Sequence, residues 1–343
     1  MYAFTPSTAR FLAFCCAALV FLFVLKLSLL APLYSGLLTY ALVTALSGRL
    51  AQHVPHTQGA KVLSAWIVAA LVAVVLVGIG LAIHAQVRNG FGLQRLLVEM
   101  SKILSSARIW LPHSLSVLLP EQSDLLKEAG DWLKQHAALV GAAGLGTLKL
   151  FGYIVVGILL GAMIGVSDVT RETPLGPASR YLMAQVIGLR EAFWQVATAQ
   201  LKISALNTLL TAIYLVVALP IAGIHLPFTK TLLIITFVAG LLPVLGNLVS
   251  NTVMVVISLS ASLNVALASL IFLVAVHKLE YFANARIVGG EIKAKAWEIL
   301  LCMLVMERVF GIVGVIAGPV FYAWMKSEWH RWDHASDDVI RFS

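Results

Sequence analysis

Runs of apolar residues, each approaching the length needed to cross a lipid bilayer, leave this chain few folds. A spanning helix needs about 20 mostly apolar residues. About eight stretches come near that length: 11–25, 27–46, 62–83, 137–166, 203–224, 232–260, 263–276 and 298–325. In hydrocarbon every backbone N–H and C=O must be paired inside the protein, so only helices and closed barrels span. Barrel strands alternate apolar and polar residues in segments of about ten, and these runs do not alternate. The expected fold class is therefore all-α, a polytopic helical integral membrane protein. Composition agrees, with 60% hydrophobic and 12% charged residues, against about 45–50% and about 25% in soluble domains.

Arg10 precedes the first run, but no small-residue cleavage site follows it and the chain re-enters apolar sequence at Leu27. The first two runs therefore read as an uncleaved hairpin joined at Lys26. Cys15, Cys16 and Cys302 all fall in apolar runs, which suits free thiols better than a disulfide framework. Of the net charge of +8, most lies in a few connections. Arg10, Arg49, Lys61, Arg171, Arg180, Arg190, Lys202, Lys326, Arg331 and Arg341 share one side if the amino terminus is inside, while the connections at Lys26 and Lys230 carry a single basic residue each. Basic loops stay in the cytoplasm, so both termini are expected there. No basic cluster interleaves with aromatics, so nucleic acid is not an expected partner; the expected partner is the lipid bilayer.

The chain divides on this reading into N-terminal spans at 1–83, an external amphipathic segment at 84–136, a span at 137–166, and a cytoplasmic amphipathic helix at 167–202. A C-terminal membrane core with interrupted helices follows at 203–325, then a cytoplasmic tail at 326–343. Segments 232–260 and 298–325 either cross fully or turn back within the membrane.

Polar residues inside apolar runs mark handling of something polar within the bilayer. One such run reads Ala239-Gly240-Leu241-Leu242-Pro243-Val244-Leu245-Gly246-Asn247 and continues to Asn251 and Thr252. Proline removes a backbone donor and glycine weakens a helix, so carbonyls near Gly240 should be freed from the ladder. A plain proline kink is the alternative. Further on, His277, Glu280 and Asn284 share a helical face, with a structural pairing of Glu280 and Arg286 as the simpler account. In the last run Glu307 and Arg308 stand side by side before Gly311, Gly314, Gly318 and Pro319. Adjacent helical residues point about 100° apart, so an inter-helix ion pair and a site on a polar path are both open. Lys149 lies deep in 137–166, where it either snorkels or pairs with Glu307. Asn207, Thr208 and Thr211 sit together on the fifth run. No phosphate-binding loop occurs, which excludes ATP-driven transport by this chain alone. No nucleophile-base constellation or metal motif stands out, so no enzyme, cofactor or metal is expected.

These motifs together resemble the autoinducer-2 exporter-like family of bacterial membrane proteins. The resemblance rests on Leu241-Leu242-Pro243-Val244-Leu245-Gly246, on Leu279-Glu280 followed by Arg286-Ile287-Val288-Gly289, and on Phe310-Gly311-Ile312-Val313-Gly314 with Gly318-Pro319. Gln200 stands where the family often carries R-G-Q. Ala285 replaces the proline that usually precedes the arginine, Ala294-Lys295-Ala296 replaces L-x-P, and Glu307 and Arg308 stand where small residues are common. The resemblance implies a transporter of the bacterial inner membrane without ATP hydrolysis. Its substrate would be autoinducer-2 or, in other members, sodium or lithium exchanged for protons. It also implies a homo-oligomer, a pentamer in the family.

The expected function is secondary transport of a small polar solute. The alternatives are monovalent-cation/proton antiport and a non-transporting assembly or envelope-maintenance role. The expected path residues are Gln200, Asn207, Pro243, Gly246, Asn247, Asn251, Glu280, Asn284, Arg286, Gly289, Glu307, Arg308, Gly311, Gly314 and Pro319.

Overall fold

The computed structural model describes residues 6–50, 58–90, 137–171, 174–226, 228–242, 245–292 and 294–341. The external segment expected at 84–136 lies almost wholly outside them. Among the described residues there is no strand, and ten helices are twelve residues or longer. In chain order they are α1 (Pro6–Lys26), α2 (Leu30–Leu50), α3 (Gln58–Gly90), α4 (Ala137–Val169), α5 (Pro177–Ile213), α6 (Thr229–Gly240), α7 (Leu245–Ala261), α8 (Leu263–Ile292), α9 (Ala296–Phe310) and α10 (Ile312–Arg341). Four stretches, Thr8–Lys26, Leu30–Arg49, Lys149–Val169 and Ala178–Ile221, are long and apolar enough to cross a membrane. Large apolar side chains such as Leu19, Phe23, Val74, Leu159 and Ile271 are exposed, which is tolerable where lipid is the solvent and costly in water. The protein is a polytopic helical membrane protein.

The helices gather into two compact units. The first comprises residues 1–81, 148–197 and 288–343, and the second 82–147 and 198–287. α5 runs unbroken through residue 202, where the sequence marks a change from amphipathic to fully apolar, and so contributes to both units. Pro177 opens it, a residue suited to the first helical position because its missing N–H has no partner there anyway.

In the first unit, α1 and α2 form the expected hairpin. The N–H of Leu29 bonds the Val24 carbonyl at 3.0 Å and that of Ser28 bonds the Leu25 carbonyl at 2.9 Å, the paired bonds of a Schellman stop. Ser28 occupies the left-handed position at φ 58°, where a side chain costs about 1–2 kcal/mol. Ser28→Gly is therefore expected to stabilise the protein by up to about 1 kcal/mol, read as a higher unfolding midpoint in detergent.

α2 and α4 approach backbone to backbone at Gly157 and Gly161. Gly157, Gly161 and Gly165 recur every fourth residue on α4, and a Cβ at Gly157 would run into the Pro32 carbonyl and Ser35 Oγ, one at Gly161 into the Gly36 backbone. Such small-residue stripes let membrane helices pack by close van der Waals contact, since lipid offers no hydrophobic drive for association. Ser35 Oγ donates to the Ile154 carbonyl at 3.1 Å across the same contact. Elsewhere in this unit Phe21, Leu25, Leu37, Phe193, Val320 and Trp324 form a buried cluster.

α9 and α10 form a second hairpin, turning at Gly311 with φ 63°. Its open end is clasped by Glu298, whose Oε2 accepts from Tyr322 Oη at 2.6 Å, Lys326 Nζ at 2.7 Å and the Lys295 N–H at 3.0 Å. Glu298→Gln removes the charge that these donors share. It is expected to lower the unfolding midpoint, and more at low salt than at high salt, since screening already weakens the pair in the native protein.

In the second unit α5 ends in a π-helical turn, Tyr214–Ala218. Pro220 lacks the N–H that would bond the Val216 carbonyl, and the Leu219 N–H reaches back five residues to Tyr214 instead. Tyr214, Leu215, Leu219, Leu232, Met254 and Leu273 build the apolar core of this unit.

Candidate functional site

The break between α6 and α7 leaves backbone groups that a continuous helix would pair internally. Past Gly240 the chain tightens, with the Leu241 N–H on the Val238 carbonyl at 3.3 Å and the Leu242 N–H on the Ala239 carbonyl at 2.8 Å. Among the described residues no backbone N–H takes the carbonyls of Phe237 and Gly240, as is usual for last-turn carbonyls at a helix end. Side chains of α5 supply the donors. Gln200 Nε2 donates to the Gly240 carbonyl at 2.7 Å, and Ser204 Oγ donates to the Phe237 carbonyl at 2.6 Å. Further along, Asn207 Nδ2 donates to Asn247 Oδ1 at 3.1 Å, and Thr211 is buried.

Gln200, Ser204, Asn207 and Thr211 recur at i, i+4, i+7 and i+11, so they form one stripe along α5. Placing them in an otherwise apolar helix is costly unless each has a partner, and the broken pair provides partners for Gln200, Ser204 and Asn207. Glycines permit the approach. A Cβ at Gly240 would lie 2.7 Å from Ser204 Oγ, and one at Gly246 would collide with the Ala239 carbonyl. Ser250, buried on α7, donates to the Gly246 carbonyl at 2.9 Å. The result is a small polar region of amides, hydroxyls and backbone carbonyls, carrying no charged group among these contacts.

Of the residues expected to line a path, Gln200, Asn207, Gly246 and Asn247 come together here. Pro243 lies outside the described residues. Asn251 is half-buried one turn beyond Asn247, whereas Thr252 is exposed and donates to the Leu248 carbonyl at 2.7 Å. The Thr252 hydroxyl is thus satisfied by its own helix. Glu280, Asn284, Arg286 and Gly289 lie on α8, with side chains outside the described residues.

Glu307, Arg308, Gly311, Gly314 and Pro319 belong to the first unit, and the break belongs to the second. Glu307 and Arg308 are exposed in the last turn of α9, with no ion pair among the described residues. Gly311 ends that helix, its N–H on the Glu307 carbonyl at 2.7 Å. Gly314 packs against the other arm, where a Cβ would meet the Met306 carbonyl. Pro319 sits inside α10, and nearby Tyr34 Oη donates to the Ile316 carbonyl at 3.0 Å. Lys149 is exposed on α4 with its ammonium 5.7 Å from the Tyr153 ring centre.

Sequence reasoning passed over Ser204, which the spacing from Gln200 to Thr211 would have revealed. It also passed over a buried chain of hydroxyls, Tyr214 Oη to Ser269 Oγ at 3.0 Å and Ser269 to Ser258 at 2.7 Å. Tyr214 is held there by stacking on Phe272, with ring centres 4.1 Å apart. No spacing signal joins these three, since they lie on three separate helical segments.

Residues 178–333 match the family model described as AI-2E family transporter. No curated protein and no solved structure matches the chain. The matched stretch runs from α5 into α10, so the polar stripe and the helix break both lie inside it. The part of the chain that builds the candidate site is thus the part that matches the AI-2E transporter family, the family that the motifs resemble.

Proposed function

We propose that this protein is a secondary transporter of small, uncharged polar solutes, and that the solute passes the break between α6 and α7. The observation that carries this reading is the capture of the Phe237 and Gly240 carbonyls by Ser204 and Gln200, beside the Asn207–Asn247 pair. Broken helices in membrane transporters present free backbone groups at the substrate site. Here those groups already hold neutral donors, and a solute rich in hydroxyls can exchange with them one hydrogen bond at a time. A polyhydroxylated sugar derivative of the autoinducer-2 type belongs to this class. A bare cation suits the region less well, because it needs several unengaged oxygens and the acceptors here are engaged by donors.

Around this core we infer a bacterial inner-membrane protein with both termini in the cytoplasm, on the distribution of basic residues, and a homo-oligomer, on the family resemblance. Energy would come from a solute or ion gradient, since no nucleotide-binding motif is present in the sequence.

Purified full-length protein in liposomes tests the reading. Swelling in iso-osmotic xylitol, faster than in protein-free liposomes and independent of ATP, is the expected outcome. A change of internal pH on a sodium pulse, without polyol flux, would instead indicate antiport. Neither response would sink the transport reading.

A further inference from the structure

The polar stripe of α5 does not end at Thr211. Tyr214, in the π-helical turn that closes α5, follows Asn207 by seven residues and Thr211 by three, so it continues the same face. Its hydroxyl lies 3.0 Å from Ser269 Oγ of α8, which in turn lies 2.7 Å from Ser258 Oγ of α7. All three residues are buried. Ser258 follows Asn247 by eleven residues, three turns on, and so shares its face of α7. α5 and α7 are therefore joined twice on matching faces: directly by Asn207 and Asn247 beside the break, and through Ser269 by Tyr214 and Ser258 beyond it. The surrounding core is apolar, built of Leu215, Leu219, Leu232, Met254 and Leu273, where hydroxyls are kept only with partners. Single hydrogen bonds between membrane helices are weak, so the chain holds α7 without locking it. Regular helix is also given up at the residue that starts the chain, and such π-helical turns are frequent at functional positions.

We propose that Tyr214 is a positioning residue for the solute path: through Ser269 and Ser258 its hydroxyl fixes how far α7 stands from α5, and so sets the largest solute that passes the break. The inference rests on the transport reading above, in which α7 forms one wall of the path. Tyr214 itself acts at a distance from the solute. Its ring is held by stacking on Phe272, with ring planes 8° apart, so removing the hydroxyl leaves the ring in place and releases α7.

Swelling of liposomes holding the full-length protein, in xylitol and in the larger polyol maltitol, tests this. In Tyr214→Phe the ratio of the maltitol rate to the xylitol rate is expected to rise about threefold or more, equivalent to about 0.6 kcal/mol, the order of one hydrogen bond between membrane helices. Ser258→Ala, at the other end of the chain, should do the same, and the double variant should do no more than either alone, as coupled residues do. A hydroxyl that only stabilises the fold would lower both rates together; an unchanged ratio, or additive effects of the two changes, would overturn the proposal. No entry of either polyol with the unaltered protein would fail the transport reading and this proposal with it, whereas entry with an unchanged ratio fails the proposal alone. Amide hydrogen exchange on the same variants in detergent reads the release of α7 directly. Exchange in residues 245–261 about tenfold faster in both single variants, with α9 and α10 unchanged, is the expected result. Exchange in α7 equal to that of the unaltered protein would overturn the proposal.

Discussion

Gly161→Leu is expected to abolish folding into the membrane, while Gly152→Leu on the same helix is expected to be neutral. A Cβ at Gly161 would overlap the backbone of Gly36, whereas one at Gly152 meets nothing within 4 Å. Inserting methylenes into a packed core ordinarily costs about 1–3 kcal/mol, because neighbouring side chains can rotate away. Here the obstacle is backbone, held by the rest of α2, so relief requires separating two helices. Separation would also break the Ser35 bond to the Ile154 carbonyl and expose the Tyr40 bond to Asp168, at 2.7 Å. Size-exclusion profiles of detergent-solubilised protein check this. A monodisperse peak from Gly161→Leu would show that the α2–α4 contact is not as close as described.

The second large effect is expected on flux. Gln200→Leu combined with Ser204→Ala leaves the Gly240 and Phe237 carbonyls without donors, at a cost of about 1–3 kcal/mol for each buried group. That penalty falls on the break itself, so α6 and α7 should part from α5 or rearrange before the whole unit unfolds. A loss of polyol flux of about tenfold or more is expected, equivalent to about 1.4 kcal/mol, with the unfolding midpoint lowered by a few degrees only. Swelling rates and thermal scans on the same preparations measure both. An unfolding midpoint reduced without loss of flux would mean that the stripe holds the fold and takes no part in transport.

How much of this was legible in the sequence depended on which interaction set each feature. Four of the expected spans, at 11–25, 27–46, 137–166 and 203–224, were legible, because a bilayer imposes length and apolarity on each helix separately. The break at Gly240 was legible for the same reason, since glycine and proline act locally. The partners of the freed carbonyls were only half legible: Gln200 and Asn207 are conspicuous in apolar surroundings, while Ser204 is small enough to pass as a packing residue. Glu307 and Arg308 show the limit. A charged pair in a long apolar run leaves an inter-helix ion pair and a site on a polar path both open. The structure turns the chain at Gly311 and leaves the pair exposed one turn before that bend, a position set by a backbone angle that composition does not display.

The most direct test of the central claim is the rate of xylitol entry into liposomes holding Asn207→Leu/Asn247→Leu. Replacing both partners of a hydrogen bond by apolar groups of similar size is nearly neutral for stability, so the double variant should fold while losing the polar contact between α5 and α7. The account predicts entry no faster than into protein-free liposomes, beside clear entry with the unaltered protein. Equal rates for the folded variant and the unaltered protein would place the solute path elsewhere and contradict it.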